Sequence, residues 1–99
     1  MSISTLLLGN GEKIEKYFNS LGQLHCTQGP AFISSTQKEW YQDGLKHNDK
    51  GYAVFVNECN YIRVEWWIKG KRHRVGKPAV IDSNGVCEYW EEGKLIKKV

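Results

Sequence analysis

The chain has few prolines, a single methionine, no long apolar run and no paired cysteine motif. It has two prolines and one methionine among 99 residues. No apolar run approaches the roughly 18 residues that a membrane-spanning helix needs. The three cysteines are an odd number without a CxxC pair, which argues against a disulfide framework and favours a reducing, cytoplasmic setting. The length limits the chain to a single domain, residues 1–99, with a thin core.

Aromatic residues and glycines are abundant, and they recur at regular intervals. Twelve aromatic residues and ten glycines are typical of short strands joined by tight turns. The aromatic residues include four adjacent pairs, which are Tyr17-Phe18, Trp40-Tyr41, Trp66-Trp67 and Tyr89-Trp90. Each of the first three pairs is followed by a glycine, a histidine, a second glycine and an alanine. We therefore predict repeats at about 17–39, 40–65 and 66–88, with a partial repeat at 89–99.

The turn signals predict consecutive antiparallel hairpins. Asn84-Gly85 separates two apolar segments, and this dipeptide favours a type I′ turn with positive φ at both residues. Asp43-Gly44 and Lys69-Gly70 mark further turns, each followed by a short strand that ends at the histidine of the repeat. The predicted fold class is therefore all-β, an antiparallel meander of hairpins. A short N-terminal helix at 12–17 is the alternative for that segment, because helix formers stand there between glycines.

The third copy resembles a known family of repeats. It reads Trp66-Trp67-Ile68-Lys69-Gly70-Lys71-Arg72-His73-Arg74 and continues with Gly76, Pro78 and Ala79. This pattern resembles MORN-like repeats, most closely the diverged W-x-x-G-K-x-H-R-x-x-G-P-A variant of bacteriophages and large DNA viruses. The resemblance covers about residues 12–99 and implies one elongated, twisted sheet of hairpins without catalytic residues. It further implies a binding module, here a viral host-modulating or counter-defence factor in the host cytoplasm.

Basic residues are concentrated in the C-terminal part of the chain. Residues 61–99 carry nine basic and five acidic side chains, whereas residues 1–60 carry five and six. The densest basic run and its aromatic neighbours are the candidate binding residues: Lys69, Lys71, Arg72, Arg74, Lys77, Trp66, Trp67 and Tyr61. Adjacent strand residues point to opposite faces, so each aromatic pair places one ring on each side of the sheet. A single-layer sheet cannot bury both faces, so we expect a partner to cover some rings.

Three functions are compatible with such a surface. The first is a non-enzymatic interaction protein whose sheet face binds a host protein or a second copy of the chain. The second is an RNA-binding protein, in which the basic side chains contact phosphates and the aromatic rings stack on bases. The third is an oligomeric sponge for a nucleotide-like ligand, held by aromatic rings and by Arg72 or Arg74.

The three histidines favour a structural role over metal binding. Each occupies the same place in a different repeat, which suggests a repeated task such as packing beside the next aromatic ring. Cys26 adjoins His25, but neighbouring strand residues point to opposite faces, so the two do not form a catalytic pair. Because paired carboxylates, a phosphate loop and a catalytic triad are all missing, we predict no enzymatic activity, no cofactor or metal, and no membrane contact.

Overall fold

The computed structural model describes residues 2–99, which form strands and turns without a helix. Nine strands make one antiparallel sheet, in the spatial order β1 (Ser2–Leu7), β2 (Lys13–Phe18), β3 (Phe32–Ile33), β4 (Gln37–Glu39), β7 (Val54–Glu58), β8 (Tyr61–Glu65), β11 (Val80–Asp82), β12 (Cys87–Glu91) and β13 (Lys94–Lys98). Two further hairpins are β5 (Tyr41–Gln42) with β6 (Leu45–Lys46), and β9 (Trp67–Ile68) with β10 (Lys71–Arg72). The predicted all-β meander of antiparallel hairpins is confirmed. Across residues 2–99, no helix has the length and apolar character needed to cross a membrane.

The N-terminal segment for which a helix was the alternative is strand β2. It pairs with β1 in an unbroken antiparallel register. The turn between them is closed by the N–H of Leu8, which donates to the carbonyl of Glu12 at 2.7 Å, and Gly11 has a φ of 88°. An isolated helix of six residues is unstable because its nucleation is costly, whereas the partner strand satisfies the backbone of this segment directly.

The turn at Asn84-Gly85 differs from the predicted type I′ turn. Gly85 has a φ of 95°, but Asn84 is not among the residues with positive φ. The carboxylate of Asp82 instead accepts hydrogen bonds from the N–H groups of Asn84 and Val86, at 2.9 and 3.0 Å. An aspartate that binds the backbone ahead of it can close a loop without two left-handed residues.

After β4 and β8 the chain leaves the main sheet at the first residue of an aromatic pair. Trp66 lies between β8 and β9, with its N–H bound to the carbonyl of Ala79 at 2.8 Å and its own carbonyl bound to the N–H of His73 at 3.1 Å. Its backbone therefore joins the main sheet on one side and the short hairpin β9–β10 on the other. Trp40 makes the equivalent two bonds one repeat earlier. The prediction of a single sheet thus holds for nine strands, and the short hairpins form a second row beside it.

The smallest side chain of each repeat is the best buried. Ala31, Ala53 and Ala79 are inaccessible to solvent, and with Val54 and Val80 they make up the buried apolar core of the described residues. The N–H of each alanine donates to the carbonyl of the glutamate that precedes the next aromatic pair. A core of three alanine methyl groups and two valines is thin, so polar contacts between repeats contribute much of what holds successive repeats together.

Candidate binding surface

The three histidines share one structural role, which ties each repeat to the next. Nδ1 of His25, His47 and His73 accepts a hydrogen bond of 3.0 Å from a backbone N–H in the following hairpin turn. The donors are Asp43, Lys69 and Glu92, with φ values of 50°, 49° and 51°. A left-handed backbone costs a non-glycine residue about 1–2 kcal/mol. Each imidazole therefore stabilises a left-handed turn conformation that the non-glycine donor residue disfavours. The role that the histidines share is this hydrogen bond to the backbone.

A glutamate precedes three of the four aromatic pairs and binds the second ring of its pair, a contact that the sequence patterns did not predict. The bonds run from Tyr41 Oη to Glu39, from Trp67 Nε1 to Glu65 and from Trp90 Nε1 to Glu88, at 2.7, 2.7 and 2.9 Å. In the first pair the second ring is Phe18, which has no polar group, and Lys16 stands in the place of the glutamate. The feature of the sequence that could have predicted this contact is the recurring triplet of a glutamate followed by two aromatic residues.

Glu65 is the most enclosed of these carboxylates, and it positions two arginines. It is 7% exposed; Nε of Arg63 donates to its Oε2 at 2.6 Å, and Nε of Arg72 lies 3.6 Å from its Oε1. Burial by itself raises the pKa of Glu65, but hydrogen bonds from Arg63 and Trp67 and the charges of both arginines outweigh burial and lower the pKa below its ordinary value. The carboxylate stays ionised and holds Arg72 beside Trp67.

Cations and second rings alternate along one side of the molecule. The ammonium of Lys46 lies 4.9 Å from the ring centroid of Trp67, and the guanidinium of Arg72 lies 5.3 Å from Trp67 and 5.0 Å from Trp90. Each contact of this kind is worth about 0.5–2 kcal/mol. We call these four side chains the Arg72 ladder. A cleft of about 350 Å³ opens beside it, lined by Trp67, Arg72 and Trp90 together with Lys71.

The first rings of the second and third aromatic pairs, Trp40 and Trp66, belong to a separate cluster. Tyr52 lies edge-to-face between Trp40 and Trp66, at centroid distances of 5.5 and 6.1 Å, and stacks on Phe55 at 5.7 Å. Trp66 and Trp67 therefore contact different neighbours, as expected for adjacent residues that point to opposite faces. Tyr52 stands where the other repeats have proline, and it supplies the ring that joins two successive tryptophans.

The two arginines of the basic run belong to different sites. Arg74 covers Trp66, with its guanidinium 3.7 Å from the ring centroid, and its Nη1 donates to the carbonyl of Pro78 at 3.1 Å. Arg72 lies on Trp67 in the ladder. The structure thus brings the predicted binding residues together as two cation–aromatic pairs.

The remaining candidate residues lie around these pairs. Tyr61 is at the far end of β8, where its hydroxyl donates to Oδ2 of Asp82 at 2.9 Å. Lys69, Lys71 and Lys77 are exposed. Lys69 is fixed through its backbone by the histidine of the preceding repeat. Of the candidate cations, these three lysines are therefore the ones open to solvent.

A second and larger cleft lies away from the basic run. It has a volume of about 550 Å³ and lies between the loops that follow β2 and β6, lined by Trp40, His47, Asp49 and Lys50 among others. Asp49 and Lys50 balance each other, so the cleft has no net attraction for an anion. Residues 2–99 contain no group of three or more histidine, cysteine or acidic side chains that could hold a metal ion.

Comparisons with known proteins do not assign a function to the chain. No family model matches it, and neither a curated protein nor a solved structure matches it at a significant level. The function is therefore inferred from the residues and their geometry.

Proposed function

We propose that the chain is a non-enzymatic binding protein that engages a protein partner through the Arg72 ladder and the lysines around it. The observation that carries this proposal is the fixation of Trp67 and Trp90, which hydrogen bonds from their ring nitrogens to Glu65 and Glu88 hold in place on either side of Arg72. Side chains that are ordered beforehand lose little rotamer entropy on binding. Tryptophan and arginine are also the residues that dominate the energetics of protein interfaces.

The charge around the ladder indicates the kind of partner. Lys71 lines the cleft beside Arg72 and Trp90, while Lys69 and Lys77 are exposed on the same basic run. A partner with an apolar centre and an acidic rim complements this surface. Opposite charges at a rim speed the encounter, and the aromatic centre supplies the affinity.

The resemblance of the third copy to MORN-like repeats supports the same class of function, because such repeats look like scaffolds and binding modules. On this proposal the partner is a host protein, and the chain acts in the host cytoplasm as a viral host-modulating or counter-defence factor. The three unpaired cysteines agree with a reducing compartment.

RNA binding is the second candidate, and the exposed lysines favour it. A nucleic-acid partner would use Lys69, Lys71 and Lys77 for phosphates and the rings of Trp66 and Trp67 for bases. Those rings are already covered, Trp67 by Lys46 and Arg72 and Trp66 by Arg74. Base stacking would have to displace these cations, and the same holds for a nucleotide-like ligand. We therefore place a protein partner ahead of RNA.

Charge reversal at Lys71 tests the proposal. The wild-type chain, Lys71→Glu and the matched control Lys38→Glu, which is exposed on β4, are immobilised and used to capture proteins from a bacterial lysate. We expect a defined protein that the wild type and Lys38→Glu retain and that Lys71→Glu loses. Retention that does not depend on Lys71 contradicts the proposal. Labelled RNA is tested in parallel at about 50 mM salt, and binding that Lys71→Glu abolishes would establish the second candidate instead.

A further inference from the structure

We propose that β1 is a dimerisation edge, at which the strand pairs antiparallel with β1 of a second copy of the chain. β1 lies at one end of the nine-stranded sheet and pairs with β2 alone. All six of its residues are exposed. Among residues 2–99, no strand pairs with its outer side. An unpaired strand edge is a template for another strand.

The two ends of the sheet differ sharply in their protection against pairing. β13, at the opposite end, carries lysine at three of its five positions, and its pairing with β12 has an irregularity at Tyr89-Trp90. Lysines and bulges are the usual features by which an edge strand avoids association. β1 reads Ser-Ile-Ser-Thr-Leu-Leu, without a charge or a proline, and its register with β2 is regular. The protection is therefore confined to one end.

The backbone of β1 indicates which residues would pair. The N–H of Leu8 donates toward β2, and in a regular antiparallel pair the direction of the backbone groups alternates from residue to residue. The groups of Ile3, Thr5 and Leu7 therefore point outward. Ile3 and Leu7 are also among the most exposed large apolar side chains, at 57% and 68%. Two of the three residues with outward backbone groups, Ile3 and Leu7, therefore also carry exposed apolar side chains.

The register that pairs all three outward residues is centred on Thr5. A two-fold axis perpendicular to the sheet places Thr5 opposite Thr5 of the other copy, and Ile3 then lies opposite Leu7 twice. Ile3 and Leu7 point to the same face, because residues two or four apart on a strand share a face. The pairing therefore brings Ile3 of each copy into contact with Leu7 of the other on one face, and it opposes no like charges.

The other edge pairings are less favourable. A β13–β13 pair would bring lysines close to lysines, which is destabilising. A β1–β13 pair would be head-to-tail and would leave free edges that add further copies. The β1–β1 pair closes after two molecules and joins two nine-stranded sheets into one.

The solution mass of the full chain and of two lysine variants tests the proposal. We expect the wild type to have twice the mass of the chain by light scattering coupled to size exclusion. Thr5→Lys places two lysines at the two-fold axis and should raise the dimer dissociation constant at least about tenfold. Leu95→Lys on β13 is the matched control and should leave the dimer unchanged. Circular dichroism verifies that both variants fold.

Cross-linking tests the register separately. In a Cys59→Ser background, Thr5→Cys should form a disulfide-linked dimer on oxidation, because directly opposed Cα atoms are about 5.5 Å apart. Ser4→Cys should cross-link far less, since its counterpart in the other copy is out of register.

A monomeric wild type, or a dimer that survives Thr5→Lys, overturns the proposed interface. Preferential cross-linking of Ser4→Cys overturns the register. Lys71→Glu should remain dimeric, so loss of the proposed partner protein and loss of the dimer are distinguishable.

Discussion

The first and the third aromatic pairs have the same backbone contacts but different side-chain surroundings. At both pairs the first ring residue donates to a buried alanine and accepts from a histidine, and His25 and His73 then bind the next turn in the same way. The third pair is preceded by Glu65 and carries the Arg72 ladder, whereas the first ends in Phe18 and is preceded by Lys16.

This difference distinguishes the residues that every repeat needs for its fold from the residues that give the third repeat its binding surface. Alanine, histidine and the turn glycine make backbone or packing contacts that each repeat needs in order to join its neighbour. In the three pairs that have the glutamate, the second ring carries a polar group that binds it. In the first pair the glutamate is missing, and the second ring has no polar group. The fold therefore tolerates variation at the positions where the third repeat presents its cations and indoles.

The largest effect is expected from removing the carboxylate at the third pair. Glu65→Ala removes the carboxylate beside Arg72 and leaves Arg63 with Asp82 alone, 3.7 Å from its Nη1, and we expect a loss of about 3–5 kcal/mol in the free energy of unfolding. Lys16→Ala, at the equivalent position of the first pair, removes only an exposed contact of its ammonium with the Phe32 ring at 5.9 Å and should change it by less than about 1 kcal/mol. Urea denaturation measures both. Equal losses would mean that the carboxylate has no special role.

A smaller effect, of similar size in both repeats, is expected from enlarging the buried alanine that the first and third repeats share. Ala31→Val and Ala79→Val each force extra methyl groups into a fully buried position, and we expect each to cost about 1–3 kcal/mol. The same denaturation experiment compares the two. If one position accepts valine without loss, the alanines do not have a common packing role.

The histidines should contribute less, and again equally. His25→Ala and His73→Ala each remove one acceptor from a turn N–H, at a cost of about 1 kcal/mol. If His25 holds Asp43 in its left-handed conformation, the cost should shrink in an Asp43→Gly background, because glycine adopts that conformation freely. A double-mutant cycle on thermal unfolding measures the coupling. Simple additivity would contradict this role of the imidazole.

The smallest effect is the pH dependence that Glu65 confers. The pKa of Glu65 in the folded chain lies below its ordinary value of 4.5, so the unfolded chain binds the proton more readily. The resulting stabilisation is present above pH 4.5 and is lost as the pH falls through the folded pKa. Glu65→Gln should flatten the acid limb of a stability–pH profile. Glu12→Gln, at an exposed position, is the matched control, and an equal flattening there would refute the assignment.

The hairpins were largely predictable, because their signals are local. Glycine after Asp43 and after Lys69 marks turns in which both residues have positive φ, and a β-branched or aromatic segment on each side forms a strand. At Asn84 the prediction was wrong, because the carboxylate of Asp82 competes for the same backbone groups. A side chain that lies outside the dipeptide decided the type of turn.

The sequence showed that the candidate binding residues are concentrated in one basic run. It did not show which aromatic ring each arginine covers. Arg72 and Arg74 stand two positions apart in the sequence, yet one lies on Trp67 and Trp90 and the other on Trp66. At Trp40 and Trp66 the chain passes from the main sheet into the short hairpins β5–β6 and β9–β10. Arg74 lies beyond the end of β10 at Arg72, so strand alternation does not fix the face to which it points.

The sequence by itself determined the all-β class, the order of the hairpins and most of their turns, because strand propensity and glycine turns act over a few residues. Tertiary structure alone decided which cation covers which ring, which carboxylate is buried and which turn each histidine holds. Several of these contacts join residues of successive repeats, such as His47 with Lys69 and Arg72 with Trp90. Their geometry depends on how one hairpin is placed against the next, which short-range sequence patterns do not specify.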